Sequence, residues 1–368
     1  MSNRSVVVLG GDAAALAVAG RLALDGHGVV LWEVPSAQES GLTGCELPRL
    51  ALSGAGGDAV ATLAAVTLDP FEALAAGDVL VVCALSHAQA FTDLVLPLLE
   101  PRHTLLLLPG NLGSLTTARW LRDRGRADLP TLVESDTAPF VAQRLAADRV
   151  HVSASVADLG FGVFPADRTA ATLAVLQGLF PQARALAHVL AAALAGPEPF
   201  LRAPALLMSA GAVARRRTGC SLFEDGFTPA VARVAAALDV ERQALGAALG
   251  IDLPSAPETL NALGLAPRGD LWAAVNGSFT LTHTPYPYAL PAAGLADDGV
   301  LGLRPWAELA EQLGVPSPVL ASLLTLFDAA DGLDRSRAGR SLADLGLAGM
   351  NAAALGRFLT TGSDEPVR

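Results

Sequence analysis

Lysine is missing altogether: all 25 basic residues of the 368 are arginine. That excludes a lysine Schiff base and a lysine general base. Acidic residues outnumber basic ones, leaving a formal net charge of −11, which argues against nucleic acid as a partner. The one local basic cluster, Arg215 to Arg217, reads as a solvated helix end, with an anion site as the competing reading. The three cysteines, Cys45, Cys83 and Cys220, lie far apart without CxxC spacing, so neither a disulfide framework nor a zinc site is expected and a reducing cytoplasm fits. No His/Cys/carboxylate cluster has metal-ligand spacing and no G-x-S-x-G elbow occurs, so no metal is expected. The apolar run at 185–196 is too short to cross a bilayer, and Asp12 interrupts the N-terminal run that superficially resembles a signal peptide.

What is present is apolar: 52% hydrophobic residues against 17% charged, the composition of a globular chain. Its length predicts two domains. From residue 1 to about 187, apolar runs such as SVVVLG, GVVLWE, VLVVCA (79–84), TLLLLPG (104–110) and TLVES (131–135) read as strands. Helical patterns such as AQAFTDLVLPLLE and SLTTARWLRDRG fall between them, and RVHVSAS and FGVFPAD read as further strands before a helix at 167–180. The alternation predicts an α/β Rossmann-type doubly wound parallel sheet over 1–187. Ala/Leu-rich patterns at 205–217, 228–249, 305–313 and 316–330 predict a mostly α-helical second domain, 188–368. The stretch 276–299 is too rich in Pro, Gly and Thr for a helix, holds both tyrosines, Tyr286 and Tyr288, and reads as a functional loop.

The segment Val6 to Glu33 has the layout of a dinucleotide-binding βαβ unit. Laying G-x-G-x-x-G on it gives Gly10, Gly11, Asp12, Ala13, Ala14 and Ala15. The turn glycine is kept and Ala15 is an accepted small substitute, but Asp12 stands where a glycine would let the backbone approach a pyrophosphate. A carboxylate there repels a diphosphate. Glu33 closes the second strand where an acid takes the adenosine ribose hydroxyls, which favours NAD over NADP.

Beyond the fingerprint, the chain resembles the octopine/nopaline (opine) dehydrogenase family. LPGNLGSLTTARWLRDRG (108–125), with Asn111 in its turn, is similar to that family's NPG turn and following helix. ESDTAPFVAQR (134–144) resembles its E-T-D-T-x-P-Y-x-x-R segment through Glu134, Asp136, Thr137, Pro139 and Arg144. The 223–251 segment resembles its G-x-T-P and D-x-E-R pattern through Gly226, Thr228, Pro229, Asp239, Glu241 and Arg242, and 302–320 and 339–347 are similar to its closing helices. The resemblance implies an NAD(P)H-dependent reductive condensation, in which an amine or amino acid and a 2-oxo acid form an imine that is reduced to a secondary amine. It implies a histidine–aspartate pair for proton transfer, an arginine for a substrate carboxylate, and a small-molecule substrate in an interdomain cleft; monomers and homodimers both fit.

The chain departs from that pattern. PFLRAPALLMSAG (199–211) matches the histidine's stretch without a histidine, Arg202 or Ala203 taking the place. The aspartate corresponds to Asp298, but the arginine before it is missing from AGLADD. The candidates for proton transfer are therefore Asp298, His283 and His87, each histidine competing with a plain surface or packing role. Arg202, Arg144 and Arg304 are candidates for a carboxylate clamp or ordinary salt bridges, and Tyr286 and Tyr288 for flanking the substrate or for packing. Gly10, Gly11, Asp12, Ala15, Glu33, Asn111 and Glu134 are the candidates for holding NAD. Two readings stand: a redox enzyme with a rebuilt acid/base site, or a scaffold in which Asp12 blocks the pyrophosphate and the cleft is reused for cyclisation, condensation or ligand binding.

Overall fold

The computed structural model describes residues 3–33, 42–43, 47–83, 91–215, 221–284, 302–331 and 340–363. The chain divides into two compact units, Met1–Val189 and Leu190–Arg368.

The first unit is built on an eight-stranded sheet. Its strands are β1 (Ser5–Leu9), β2 (Gly28–Trp32), β5 (Ala65–Thr67), β6 (Val79–Val82), β7 (Thr104–Leu107), β8 (Thr131–Ser135), β11 (Leu159–Phe164) and β12 (Ala183–Ala185). They lie in the order β12-β11-β8-β7-β6-β1-β2-β5. From β5 to β8 all pairings are parallel, and only β11 runs antiparallel to its neighbour β8. Val6, Val7 and Val8 have no exposed surface, the mark of a parallel strand covered on both faces. The chain moves out from β1 to one side and then returns to its other side as β6, so the order reverses between β1 and β6. The crevice outside the carboxyl ends of those two strands is where such sheets take ligands.

Four strands absent from the sequence-based expectation, or assigned there to a single sheet, form a second layer. They are β3 (Arg49–Gly54), β4 (Ala59–Thr62), β9 (Phe140–Ala146) and β10 (Arg149–Ser155), in the order β4-β3-β10-β9. Helix α1 (Ala13–Leu24) packs against all four as well as against β1 and β2. A helix so enclosed is apolar apart from Arg21, which reaches out to Asp25, and its sequence is accordingly AAALAVAGRLAL. The fit is close at Gly20, where a Cβ would stand 2.6 Å from Leu52 Cδ1 and 3.1 Å from Leu50 Cδ2.

The remaining helices of this unit are α2 (Pro70–Ala75), α3 (Gly113–Asp123) and α4 (Thr169–Leu179). The helix expected within 88–100 is not regular: Phe91–Val95 is a π turn and Leu96–Leu98 a 3-10 turn, because Pro97 has no N–H to continue an α-helix.

The second unit is helical: α5 (Val189–Ala195, beginning at the junction), α6 (Glu198–Arg215), α7 (Leu222–Gly226), α8 (Pro229–Ala248), α9 (Ala256–Ala262), α10 (Leu271–Asn276), α11 (Phe279–His283), α12 (Arg304–Leu313), α13 (Pro318–Asp331) and α14 (Ala352–Thr361). The start of the stretch expected as loop is therefore helix: Ser278 caps α11 by accepting from Leu281 N.

The polar centre of this unit is Arg242, fully buried in α8. Its Nε donates to Asp239 Oδ1 at 2.8 Å, Nη1 to Leu194 O at 2.8 Å and Nη2 to Pro254 O at 2.6 Å. The guanidinium lies 4.7 Å from the Phe200 ring centre. Asp239 Oδ2 accepts from Gln243 and from Ala256 N, while Glu241 accepts from Val319 N and Leu320 N at the start of α13. The D-x-E-R motif is thus a structural clamp joining five helices. Burial pulls the Arg242 pKa down and Asp239 opposes that shift.

Gly20→Val must displace Leu50 and Leu52 and lowers the unfolding free energy by about 1–3 kcal/mol in urea titration. Arg242→Met leaves Asp239 charged and buried and costs about 3–5 kcal/mol, whereas Asp239→Leu together with Arg242→Met costs less than the single change.

Candidate functional site

Gly10 closes β1 with φ +127°, a conformation that glycine adopts without strain, and its N–H donates to Trp32 O at 3.0 Å. An added Cβ would also stand 3.4 Å from Ala15 Cβ. The turn therefore needs a glycine at 10 and a small residue at 15.

Asp12 does not need to be glycine. Its backbone is extended (φ −79°, ψ 176°), and it is the N-cap of α1: Oδ1 accepts from Ala15 N at 2.9 Å. A carboxylate belongs at this position electrostatically, because the first-turn N–H groups carry the positive end of the helix dipole. By helix geometry the N–H groups of Ala13 and Ala14 have no intrahelical acceptor.

Arg144 reaches this turn from β9. Its Nη1 donates to Gly11 O at 3.0 Å, while Nε and Nη2 donate to Ala146 O and Ala147 O at 3.2 and 3.3 Å. Arg144, one of the sequence's candidates for a carboxylate clamp or a salt bridge, is placed against the glycine turn. No sequence signal pointed there, since the contact joins residues 133 positions apart. Across the turn, Cys83 follows β6 and is buried. Burial, and then the charge of Asp12, hold its thiol well above its usual range, so it stays protonated and unreactive.

Glu33 follows β2 and is 1% exposed. Its N–H donates to Thr67 O, and its Oε2 accepts from Thr43 Oγ1 at 2.5 Å. The carboxylate is thus held at the carboxyl end of β2, beside the Gly10 turn that bonds to Trp32.

Asn111 lies in the turn after β7, and Glu134 on the adjacent strand β8. Asn111 and Leu112 have φ of 45° and 66°, strained for non-glycine residues. Glu134 sustains that turn: Oε2 accepts from Leu112 N and Oε1 from Ser114 N, both at 2.8 Å, and Oε1 also from Ser114 Oγ at 2.5 Å. It has no exposed surface, and a Cβ on Gly110 would collide with it. Its carboxylate caps α3, so both oxygens are engaged within the fold.

In the second unit, Arg202 lies half-buried on α6. Arg304 opens α12 and pairs with Asp328 at 3.5 Å. His283 ends α11, exposed, with its ring stacked on Phe279 at 4.0 Å between centres. His87, Tyr286, Tyr288 and Asp298 lie outside the described residues. Among the described residues, no group of three His, Cys, Asp or Glu side chains could hold a metal ion, and no helix is long and apolar enough to cross a membrane.

The residues present fit a dinucleotide. The Gly10 turn, small Ala15, the first turn of α1 and Glu33 are in the places such a ligand requires, and the Asp12 carboxylate is engaged by the helix rather than left uncompensated.

One further cluster was not singled out from sequence as an ionic site. Asp136, 5% exposed, accepts from Gly160 N (3.0 Å) and from Arg184 Nη2 (3.2 Å), and Arg184 Nε also holds Asp158 at 2.7 Å. Burial pushes the Asp136 pKa up to about 7 despite Arg184 and the Gly160 N–H.

Comparison with known proteins agrees with the motifs. Residues 185–330 match the family described as NAD/NADP octopine/nopaline dehydrogenase, alpha-helical domain. An opine dehydrogenase of Arthrobacter sp. (strain 1C) is 28% identical over 364 residues, covering 96% of this chain and 98% of that one. An octopine dehydrogenase solved with NADH and agmatine shares the fold over 100% of both chains, with a TM-score of 0.75 and 17% identity. A yersinopine dehydrogenase bound to NADP+ does so over 98% of both, with a TM-score of 0.69 and 18% identity. The chain therefore has the opine dehydrogenase fold, a Rossmann-like unit followed by a helical one.

Titration of Asp136 gives a testable outcome. Because its native pKa lies above the unfolded value of 3.8, the native state holds the extra proton. The stabilisation is complete below the unfolded pKa and is lost as pH rises through about 7. Asp136→Asn removes that slope, so the difference in urea midpoint between wild type and variant changes between about pH 4 and 7 and levels off above. A constant difference contradicts it.

Proposed function

We propose that this chain, whose helical unit matches the octopine/nopaline dehydrogenases, is an NAD(H)-dependent oxidoreductase of the opine dehydrogenase type. Its substrate is an imine formed from an amine or amino acid and a 2-oxo acid. The observation that carries the reading is the pairing, at one sheet edge, of a glycine turn that requires Gly10 with a carboxylate at Glu33, in a chain similar along 96% of its length to an opine dehydrogenase. Bound NADH supplies the hydride. Glu33 takes the adenosine ribose hydroxyls and disfavours a 2′-phosphate, and the first-turn N–H groups of α1 hold the diphosphate.

For proton transfer, His283 and Asp298 stand in place of the histidine missing from α6, with His87 a further candidate. The contacts of the His283 ring support that role. Nδ1 lies 3.1 Å from Phe279 O and 3.0 Å from Thr282 Oγ1. A carbonyl only accepts, so Nδ1 is the nitrogen that donates to it, and Nε2 is the ring nitrogen left to exchange a proton with the substrate. Arg202 is the clamp for a substrate carboxylate, and Tyr286 and Tyr288 flank the substrate.

A second reading rests on Asp12. Its carboxylate takes the Ala15 N–H that an anion would otherwise meet, as in a protein whose turn has closed to nucleotides and whose site serves a non-redox condensation or ligand binding.

Calorimetry separates the two. The redox reading expects NADH to bind more tightly than NADPH, and Asp12→Gly to tighten NADH about tenfold by removing a like charge near the diphosphate, at a cost of only a few tenths of a kcal/mol for the cap. No binding of either nucleotide, to wild type or variant, supports the second reading and overturns the first.

A further inference from the structure

We infer that Arg144 is the positioning residue that keeps a diphosphate site open beside Asp12. The inference rests on the NAD(H) reading above and goes beyond it, because neither the resemblance nor that reading places Arg144 on the nucleotide.

Three observations carry it. The guanidinium of Arg144 is held in place by its own hairpin, through the carbonyls of Ala146 and Ala147, so its reach to Gly11 is not that of a loose surface side chain. The atom it reaches, Gly11 O, belongs to the peptide linking Gly11 to Asp12. In a trans peptide the C=O and N–H point in opposite directions, so a donor fixing the Gly11 carbonyl on the β9 side turns the Asp12 N–H to the opposite side of that peptide. The cap bond from Ala15 N then holds the Asp12 carboxylate against the helix.

The charge balance at the turn acts in the same direction. The usual glycine is uncharged, and the diphosphate adds negative charge next to that of Asp12. A guanidinium one peptide away offsets the aspartate and leaves the helix N-terminus to attract the ligand. Arg144 and Asp12 are thus a compensating pair: the arginine on a strand of the small sheet makes the departure from the glycine fingerprint tolerable. The packing of β9 on α1 is what brings Arg144 to the turn.

The test is NADH titration calorimetry on wild type, Arg144→Ala, Arg144→Lys, Asp12→Asn and the double variant Arg144→Ala/Asp12→Asn, with thermal unfolding of each protein without ligand. Arg144→Ala should weaken NADH about tenfold, the worth of a charge-assisted contact. Arg144→Lys, which keeps the charge but loses the fork, should fall between. The double variant, with the same net charge at the turn as wild type, should recover most of the loss; a purely structural arginine would not be rescued by neutralising Asp12. Unchanged NADH affinity in Arg144→Ala overturns the inference while leaving the NAD(H) reading intact. A loss that Asp12→Asn does not recover overturns the compensation between the two charges. Absence of binding by every protein, Asp12→Asn included, overturns the NAD(H) reading and this inference with it.

Discussion

Carboxylates set against helix N-termini hold this protein together. The first turn of a helix leaves N–H groups that need acceptors, and here the chain supplies its own. Asp12 caps α1, Glu134 caps α3 from a neighbouring strand, Glu241 caps α13, and Asp239 takes Ala256 N at α9. Asp12 caps its own helix, Glu134 and Asp239 tie consecutive elements of the chain, and Glu241 reaches a helix far along it. In the helical unit Asp239 also holds the buried Arg242, so there the cap and the core network share a carboxylate.

This habit bears directly on function. A helix N-terminus at the carboxyl edge of a parallel sheet is where nucleotide folds hold phosphate, and the two that begin at α1 and α3 are both occupied by carboxylates of the protein. At α3 the occupation is complete, since both Glu134 oxygens are bonded and the group is sealed from solvent. At α1 it is partial: one oxygen of Asp12 holds one N–H, and an arginine stands on the preceding peptide. Without lysine, every fixed cation in the chain is a guanidinium, whose planar fork can bond carbonyls and still carry charge. Arg144 does both.

Much of the fold was legible in the sequence because burial leaves a pattern. The valine runs of β1 and β2, the alternation that followed and the alanine-rich second half identified a doubly wound sheet and a helical unit. The small sheet was not legible as such: β9, as FVAQRLA, is half-buried to exposed and carries no clean alternation, and β3 and β4, as RLALSG and AVAT, lack the unbroken valine or leucine runs of the central strands. The turn at Gly10 and the acid at Glu33 could be read from spacing alone. What spacing could not show is direction. Glu134 and Arg144 belong to one motif of eleven residues, yet the first points into the cap of α3 and the second back to Gly11, because β8 and β9 belong to different sheets.

The most direct test of the account is a crystal structure of the protein grown with saturating NADH. The account predicts the diphosphate over the first turn of α1, against the N–H groups of Ala13 and Ala14, with Asp12 still bonded to Ala15 N and Arg144 still on Gly11 O. NADH found elsewhere on the protein, or a turn that is empty at saturation with Asp12 unmoved, would contradict it.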